Sequence, residues 1–427
     1  MVEEETGKSP EGTTGPREAA GHFRMVSLMM KYTVMMSICL VAFAYFVYKP
    51  FPKGAVEPWK QSLVATGYEI VELLGFVSET LGLASRINVT RWITAMSGLI
   101  FVARKNIFVS DKLIDGVKVR ISRPHNVHHT LPGLMYFHGG GFVFCDPGCM
   151  ASVTDQLSEE LQAVVISVDY RLAPEHLYPA ALDDCLAATQ HVLQHADRLG
   201  VDKYRIGLAG DSAGGGLTLS VALKLSSNQD PNLPPIKVIG PIYPALQAFD
   251  FRLPSYIQYK DGPSLLNLRR LAKFYLNYML GNTTYVTVLV SNTHVSKSLR
   301  QSVYASRVSP KLLPSHMQTY SETPEKQDGN EDVSNVIQSI LLDPFFSPLM
   351  ADDAALKMLP PTCVLIAELD ILRDDGFLLA ERLRGVGVQV QLLYYEGYEH
   401  AFLSFVDIYS SAANAVHDLA KCLGQYL

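Results

Sequence analysis

Ile206-Gly207-Leu208-Ala209-Gly210-Asp211-Ser212-Ala213-Gly214 is the stretch on which the fold turns. The apolar run 206–209 leads into glycine, and a helical run follows at 217–225. Gly210 to Gly214 fit the pattern G-x-S-x-G. A strand, a tight turn and a helix form the context in which that pattern holds a serine hydroxyl at the mouth of a sheet. Glycines flank the serine because so tight a turn leaves no room for side chains. The pentapeptide alone arises by chance in long chains. Its context is what makes Ser212 a candidate nucleophile.

Working outward, similar apolar runs recur at 134–137, 164–168, 238–243, 364–367 and 388–394, each followed within three residues by glycine, proline or an acidic residue. Helical stretches separate them. Short runs bounded by turn residues and alternating with helices predict an α/β fold with a mostly parallel sheet, helices on both faces. The alternation starts near residue 106 and stops between 245 and 345, where Tyr- and Leu-rich helical segments surround a polar stretch at 321–335. An insertion of that size is expected to form a lid or a wall of the site. Residues 55–104 read as a helix pair in which Leu63, Ile70, Leu74, Val77 and Leu81 share one face. That face packs on the core or touches a membrane; a mixture, packed helices whose outer side meets lipid, is the reading preferred here.

A nucleophilic serine needs a base, and the base needs a carboxylate to orient it. In a strand–turn–helix serine site the chain order is Ser, acid, His. Asp370 stands at the end of the run 364–367, and His400 follows the run 388–394. Both fall at the sheet edge where α/β folds bind ligands. Glu368, Asp374 and Asp375 compete for the acid role, although Asp374 and Asp375 suit the first turn of the next helix. His176 and His294 compete for the base, but both precede the acid. Just after 134–137 comes His138-Gly139-Gly140-Gly141. Bare glycines let backbone N–H groups approach a developing oxyanion, so Gly139, Gly140 and the N–H of Ala213 are the expected donors. His138 reads as a brace for the loop and not as a base.

The net charge is −6 with no basic block, which argues against nucleic acid as a partner. None of the six cysteines makes a C-x-x-C pair and no histidine cluster has ligand spacing, so neither a metal nor a cofactor is expected. The cysteines define no disulfide framework by themselves. Hydrophobic residues make up 48% of the chain and charged residues 18%, which favours a large core plus some membrane-facing surface. Residues 1–24 read as a disordered tail. Residues 32–48 are uncharged and almost wholly apolar, just long enough to span a bilayer, with Lys31 able to reach the interface. No small-x-small cleavage site follows, so 25–49 is expected to be an uncleaved anchor. Positive charges tie on its two sides. The sequons at Asn88 and Asn282 favour a lumenal or extracellular body.

Other motifs identify a family resemblance. His138-Gly-Gly-Gly141, Asp169-Tyr-Arg-Leu-Ala-Pro-Glu175, Gly210-Asp-Ser-Ala-Gly-Gly215, Leu349-Met-Ala-Asp352, Leu372-Arg-Asp-Asp-Gly376 and His400-Ala-Phe402 occur in that order. So do Ala44-Tyr-Phe-Val-Tyr-Lys-Pro50, Pro58-Trp59-Lys60 and Ile242-Tyr-Pro-Ala-Leu-Gln-Ala-Phe-Asp250. From the anchor to the C-terminus the chain resembles the hormone-sensitive-lipase branch of the α/β-hydrolases, in the group of the cholesterol ester hydrolases and arylacetamide deacetylases. The resemblance implies an α/β-hydrolase fold at 106–427 and a helical cap from 50–105 and 245–345. It implies Ser212 as nucleophile, Asp370 as acid, His400 as base, and Gly139, Gly140 and Ala213 as oxyanion donors. It also implies a type II anchor in the endoplasmic reticulum with a lumenal catalytic body, and lipophilic esters such as cholesteryl esters or ether-lipid acetates as substrates. Phe142 stands where the family has Trp. Val143 and Ala367 stand where some members pair cysteines, with Cys145, Cys149 and Cys363 nearby. Residues around 321–335 match poorly, which leaves substrate choice open. A deacetylase of small aryl or drug-type esters, an acyltransferase, and a non-catalytic binding protein on the same scaffold are the rival readings.

Overall fold

Among the described residues, eight strands form one sheet in the order β1-β2-β4-β3-β5-β6-β7-β8. They are β1 (Ile107–Ile114), β2 (Val117–Pro124), β3 (Leu131–Phe137), β4 (Val164–Asp169), β5 (Val201–Asp211), β6 (Ile239–Ile242), β7 (Thr362–Leu369) and β8 (Val390–Glu399). From β4 to β8 every neighbouring pair is parallel. The sheet opens instead with an antiparallel hairpin: β1 pairs with β2, and β2 with β4. Apolar runs do not mark this hairpin because β1 is an edge strand exposed on both faces. Phe108 and Lys112 are exposed on one face and Asp111 and Leu113 on the other, which dilutes the hydrophobic signal.

The computed structural model describes residues 25, 28–38, 40, 41, 45, 48–100, 104–125, 127, 129–228, 230–320 and 329–427. The expected tail at 1–24, parts of the expected anchor, and 321–328 of the polar stretch lie outside them. The chain divides into residues 1–48 and 49–427. In the first unit the described positions between 25 and 45 are helical. Among the described residues no helix is both long and apolar enough to cross a membrane.

In the second unit the central strands β3 to β7 are largely buried on both faces, and alternate residues feed two cores. Met135, Phe137, Val364 and Ile366 point to one side, where α4 (Ala180–His195), α5 (Ala213–Asn228) and α8 (Arg373–Gly385) pack. Leu134, Tyr136, Leu365 and Ala367 point to the other, against α3 (Ala151–Leu161) and α9 (Ala412–Leu423). Cys363 of β7 and Cys422 of α9 form a disulfide within that second core. Cys145 and Cys149 form a local one, and Cys185 is free and buried.

Between β6 and β7 the insertion is helical, with α6 (Leu268–Leu280) and α7 (Glu331–Leu341) its longest elements. Asn267 caps α6 by accepting from Arg270 N–H at 3.0 Å. Ahead of the sheet lie α1 (Pro58–Thr80), with proline in its first turn, and α2 (Arg86–Ile100). α1 does not bury its apolar stripe. It buries Gln61, Ser62, Ala65 and Gly75, and turns Trp59, Leu63, Leu74, Val77 and Leu81 outward.

Candidate active site

β5 ends at Asp211 and α5 begins at Ala213, so Ser212 is the single residue of the turn between them. Its φ is +55°, a left-handed backbone that costs a non-glycine residue on the order of 1–2 kcal/mol. Two backbone bonds hold it there. Ser212 N–H donates to the Ile242 carbonyl at 2.9 Å, and Ala245 N–H donates to the Ser212 carbonyl at 3.1 Å. Gly214 is obligatory, because a Cβ there would overlap the Phe137 carbonyl of the neighbouring strand.

His400 is the first residue beyond β8, and Asp370 the first beyond β7. The sequence reading ended the last strand at residue 394; it runs on to Glu399. Adjacent parallel strands thus deliver Asp370 and His400 side by side. A carboxylate only accepts, so His400 Nδ1–H donates to Asp370 Oδ2, at 2.7 Å. That leaves Nε2 free to accept from the Ser212 hydroxyl, at 2.8 Å. The other carboxylate oxygen of Asp370 accepts from Leu372 N–H at 2.8 Å, which fixes the acid's orientation. Asp370 and His400 are buried, and the Tyr243 ring meets the imidazole edge-on at 5.0 Å.

The glycine turn is braced as the sequence suggests. The His138 ring stacks on Tyr170 at 4.2 Å, its Nδ1 bonds the Gly139 carbonyl oxygen at 2.8 Å, and burial pushes its pKa down to about 4. One expected donor fails, however. Gly139 N–H donates to Asp211 Oδ1 at 2.9 Å, and Tyr136 hydroxyl donates to the same oxygen at 3.0 Å. Gly139 is therefore spent on tying the turn to the serine's own strand. The remaining expected donors are Gly140 and Ala213, with Gly141 next in the turn. Burial pushes Asp211 up to about 6.

The cap closes over this turn with aromatic rings. Phe142 stacks on Tyr278 of α6 at 4.1 Å, and Phe144 meets Phe274 of α6 at 5.8 Å. From the other side, Arg91 of α2 donates to the Val143 carbonyl at 2.7 Å and grips Glu175 through two bonds of 2.8 Å.

The competing residues are used elsewhere. Glu368 accepts from Gly397 N–H at 2.7 Å. Asp374 and Asp375 do sit in the first turn of α8, but both are wholly buried. Asp374 accepts from Ser255 N–H at 2.7 Å, and Asp375 from Leu246 N–H at 3.0 Å, so they bind the insertion to the sheet. Desolvation lifts Asp375 to about 8. His294 is buried against the Ala248 carbonyl, and His176 is exposed.

One cluster escaped the sequence reading. Glu399, beside His400, is buried and accepts from Tyr409 hydroxyl at 2.6 Å and from Gln61 Nε2 of α1 at 2.5 Å. Desolvation lifts it to about 7. Its only sequence signal is a charge between Tyr398 and His400; Gln61 is 338 positions away.

Among the described residues no group of three or more His, Cys, Asp or Glu side chains could hold a metal. A proline-rich recess of about 630 Å³, lined by Leu225, Pro235 and Pro361 among others, includes neither Ser212, Asp370 and His400 nor the glycine turn. It lies by the starts of β6 and β7, the end of the sheet opposite to where α/β folds bind ligands.

Comparison with known proteins finds the same fold. A family model described as alpha/beta hydrolase fold matches residues 134–306 and 334–404. Neutral cholesterol ester hydrolase 1 of Bos taurus is 33% identical over 88% of this chain and 94% of its own length. Arylacetamide deacetylase of Bos taurus is 35% identical over 86% of this chain and 92% of its own. Among solved structures, a thermostable esterase from Pseudomonas putida superposes with a TM-score of 0.62 at 26% identity, covering 80% of this chain and 90% of that one. An esterase from Pyrobaculum calidifontis gives 0.60 at 28% identity, covering 83% and 97%.

Proposed function

The chain belongs to the α/β-hydrolase fold family, and from that premise we propose that it is a membrane-anchored serine hydrolase acting on lipophilic carboxylic esters. Its relatives and structural neighbours are ester hydrolases and deacetylases, and carboxylic ester hydrolysis is its chemistry. The observation that carries the assignment of residues is the unbroken chain of hydrogen bonds from Ser212 Oγ through His400 to Asp370, at 2.8 and 2.7 Å.

Ser212 Oγ attacks the ester carbonyl carbon as its proton passes to His400 Nε2. Asp370 holds the imidazole tautomer and stabilises the imidazolium. The N–H groups of Gly140, Gly141 and Ala213 stabilise the oxyanion, each by about 3–4 kcal/mol. The tetrahedral adduct collapses, and the alcohol leaves with the proton from His400. Water then gives a proton to Nε2 and attacks the acyl carbonyl, and Ser212 departs and regains its proton. Every step uses protein groups and water alone.

The aromatic cap and the apolar segment at 32–48 support lipophilic substrates, cholesteryl esters or ether-lipid acetates. The likeness to arylacetamide deacetylase supports a second reading, a preference for small acetyl esters. Comparing kcat/KM for cholesteryl oleate, an ether-lipid acetate and an aryl acetate in membranes separates the two. Turnover of none of them would refute both. We place the chain in the endoplasmic reticulum membrane with its body lumenal. Two disulfides and the sequon at Asn282 support an oxidising, glycosylating compartment. Protection of the body from added protease in sealed microsomes tests this, and full digestion would overturn it.

A further inference from the structure

α1 is an amphipathic helix turned inside out. Its buried side is polar and small, with Gln61, Ser62, Ala65 and Gly75. Its outer side carries Trp59, Leu63, Leu74, Val77 and Leu81, and Trp59 and Leu81 are 67% and 66% exposed. At 100° per residue these five fall within one narrow stripe, and no charged residue lies among them. Leu83 in the following turn is exposed too, and α2 adds Trp92 and Met96, 62% and 64% exposed and one helical turn apart. The two helices pack on each other, and soluble proteins rarely leave so many large apolar side chains of neighbouring helices in water.

We propose that this face of α1 and α2 is a second membrane contact, lying in the plane of the bilayer surface with its apolar side in the lipid. Three features select lipid as its occupant. The chain's two tryptophans, the residue type enriched at membrane interfaces, both stand on this face. The stripe is built on the sequence segment that directly follows the apolar stretch 32–48. Nine residues, ten steps of at most about 3.6 Å each, separate the end of that stretch from Pro58, so an inserted anchor keeps the start of α1 within about 36 Å of the bilayer. The inverted helix pattern, polar inward and apolar outward, is that of a surface whose solvent is not water. The contact rests on the proposal that the chain is membrane-anchored, and it adds where the body meets the lipid.

The face also lies directly behind the site. On the buried side of α1, Gln61 Nε2 donates to Glu399 and to the Gly397 carbonyl, both in the strand that carries His400. On α2, Arg91 holds the Val143 carbonyl at the end of the glycine turn. The docked helices therefore brace, from the lipid side, the two segments that flank Ser212. A lipid-dissolved ester is the substrate such a placement suits.

The test uses the full chain carrying Trp59→Phe, which leaves Trp92 as the sole tryptophan. It is reconstituted into dioleoyl-phosphatidylcholine vesicles with or without an acyl-chain-brominated analogue. The proposal predicts blue-shifted Trp92 emission that brominated lipid quenches, and loss of that quenching on Leu81→Glu with turnover of a soluble aryl ester retained. Red-shifted, unquenched emission would show the face in water and overturn it. Blue-shifted but unquenched emission would show it covered by protein, a second copy or the 25–48 segment, and would overturn it equally. A glycan on Asn88, one turn before Trp92, would do the same. Resistance of the chain to alkaline extraction and aryl-ester turnover are read in parallel, so that a failed anchor or a failed hydrolase assignment is told apart from a failed docking face.

Discussion

Replacing Glu399 with Gln isolates the cost of burying a carboxyl group beside the site. In the folded chain this group holds its proton up to about pH 7, against an ordinary 4.5, because burial penalises the charged form. The unfolded chain releases the proton above about pH 4.5. Folding stability attributable to Glu399 is therefore full below pH 4.5, falls as pH rises from 4.5 to 7, and is level above that. Two and a half units at 1.36 kcal/mol each give on the order of 3 kcal/mol. Glu399→Gln carries no proton to lose, so it escapes this fall. At pH 4.5 the variant differs only by its hydrogen bonds. Its amide oxygen can accept from Tyr409, and its NH₂ can donate to Gln61 Oε1, which lacks a partner in the wild type, if Gln61 flips. That rearrangement costs about 1 kcal/mol. By pH 8 the variant should have gained about 3 kcal/mol relative to wild type. Asp211, Asp375, His138 and His294 titrate in both proteins and cancel in the difference. Chemical denaturation in detergent, followed by circular dichroism from pH 4.5 to 8, gives the difference curve. A difference that does not change with pH would show Glu399 to be an ordinary solvated carboxylate and refute the reasoning.

Asp370→Asn should leave the fold intact, since Leu372 N–H can still be accepted, and lower kcat about 10⁴-fold through the wrong imidazole tautomer; turnover of a soluble aryl ester measures it. Gly140→Ala places a Cβ against the Phe144 carbonyl at a backbone φ of +98°, so the glycine turn must move. The loss of one aligned oxyanion donor should cost about 10²–10³ in kcat with less effect on KM. Removing the Cys363–Cys422 disulfide, which closes 59 positions, should destabilise the chain by about 4 kcal/mol, against about 2 for Cys145–Cys149, which closes four. Thermal unfolding of the paired Cys→Ser variants reads both.

Elements whose information is local were legible in the sequence. The strands β3 to β7 show as apolar runs because both their faces are buried, and Ser212 shows because the turn around it tolerates little but glycine. Asp370 and His400 could be chosen over their competitors because each comes soon after an apolar run in the order serine, acid, histidine; that the strands extend to Leu369 and Glu399, directly before them, shows only in the structure. What depends on packing partners was not legible. The periodicity of Leu63, Ile70, Leu74, Val77 and Leu81 establishes a stripe on α1 but not the medium it faces; the structure turns Leu63, Leu74, Val77 and Leu81 outward and half-buries Ile70. Gly139 has the residue type of an oxyanion donor, yet whether its N–H is free depends on Asp211, 72 positions away. Asp374 and Asp375 satisfy the helix-start rule and are nonetheless buried tethers, because the insertion supplies N–H groups that spacing cannot reveal. The pairing of Cys363 with Cys422 follows from α9 packing beneath β7, a tertiary contact with no local trace.

The central claim is that Ser212 is an activated nucleophile. Its most direct test is labelling of membranes bearing the full chain with a fluorophosphonate, which phosphonylates a serine only when its hydroxyl is activated, beside Ser212→Ala. The account predicts stoichiometric labelling of the wild type, an adduct mapped to the peptide containing Ser212, and none in the variant. A folded wild-type chain that takes no label, or one labelled equally after Ser212→Ala, would contradict it.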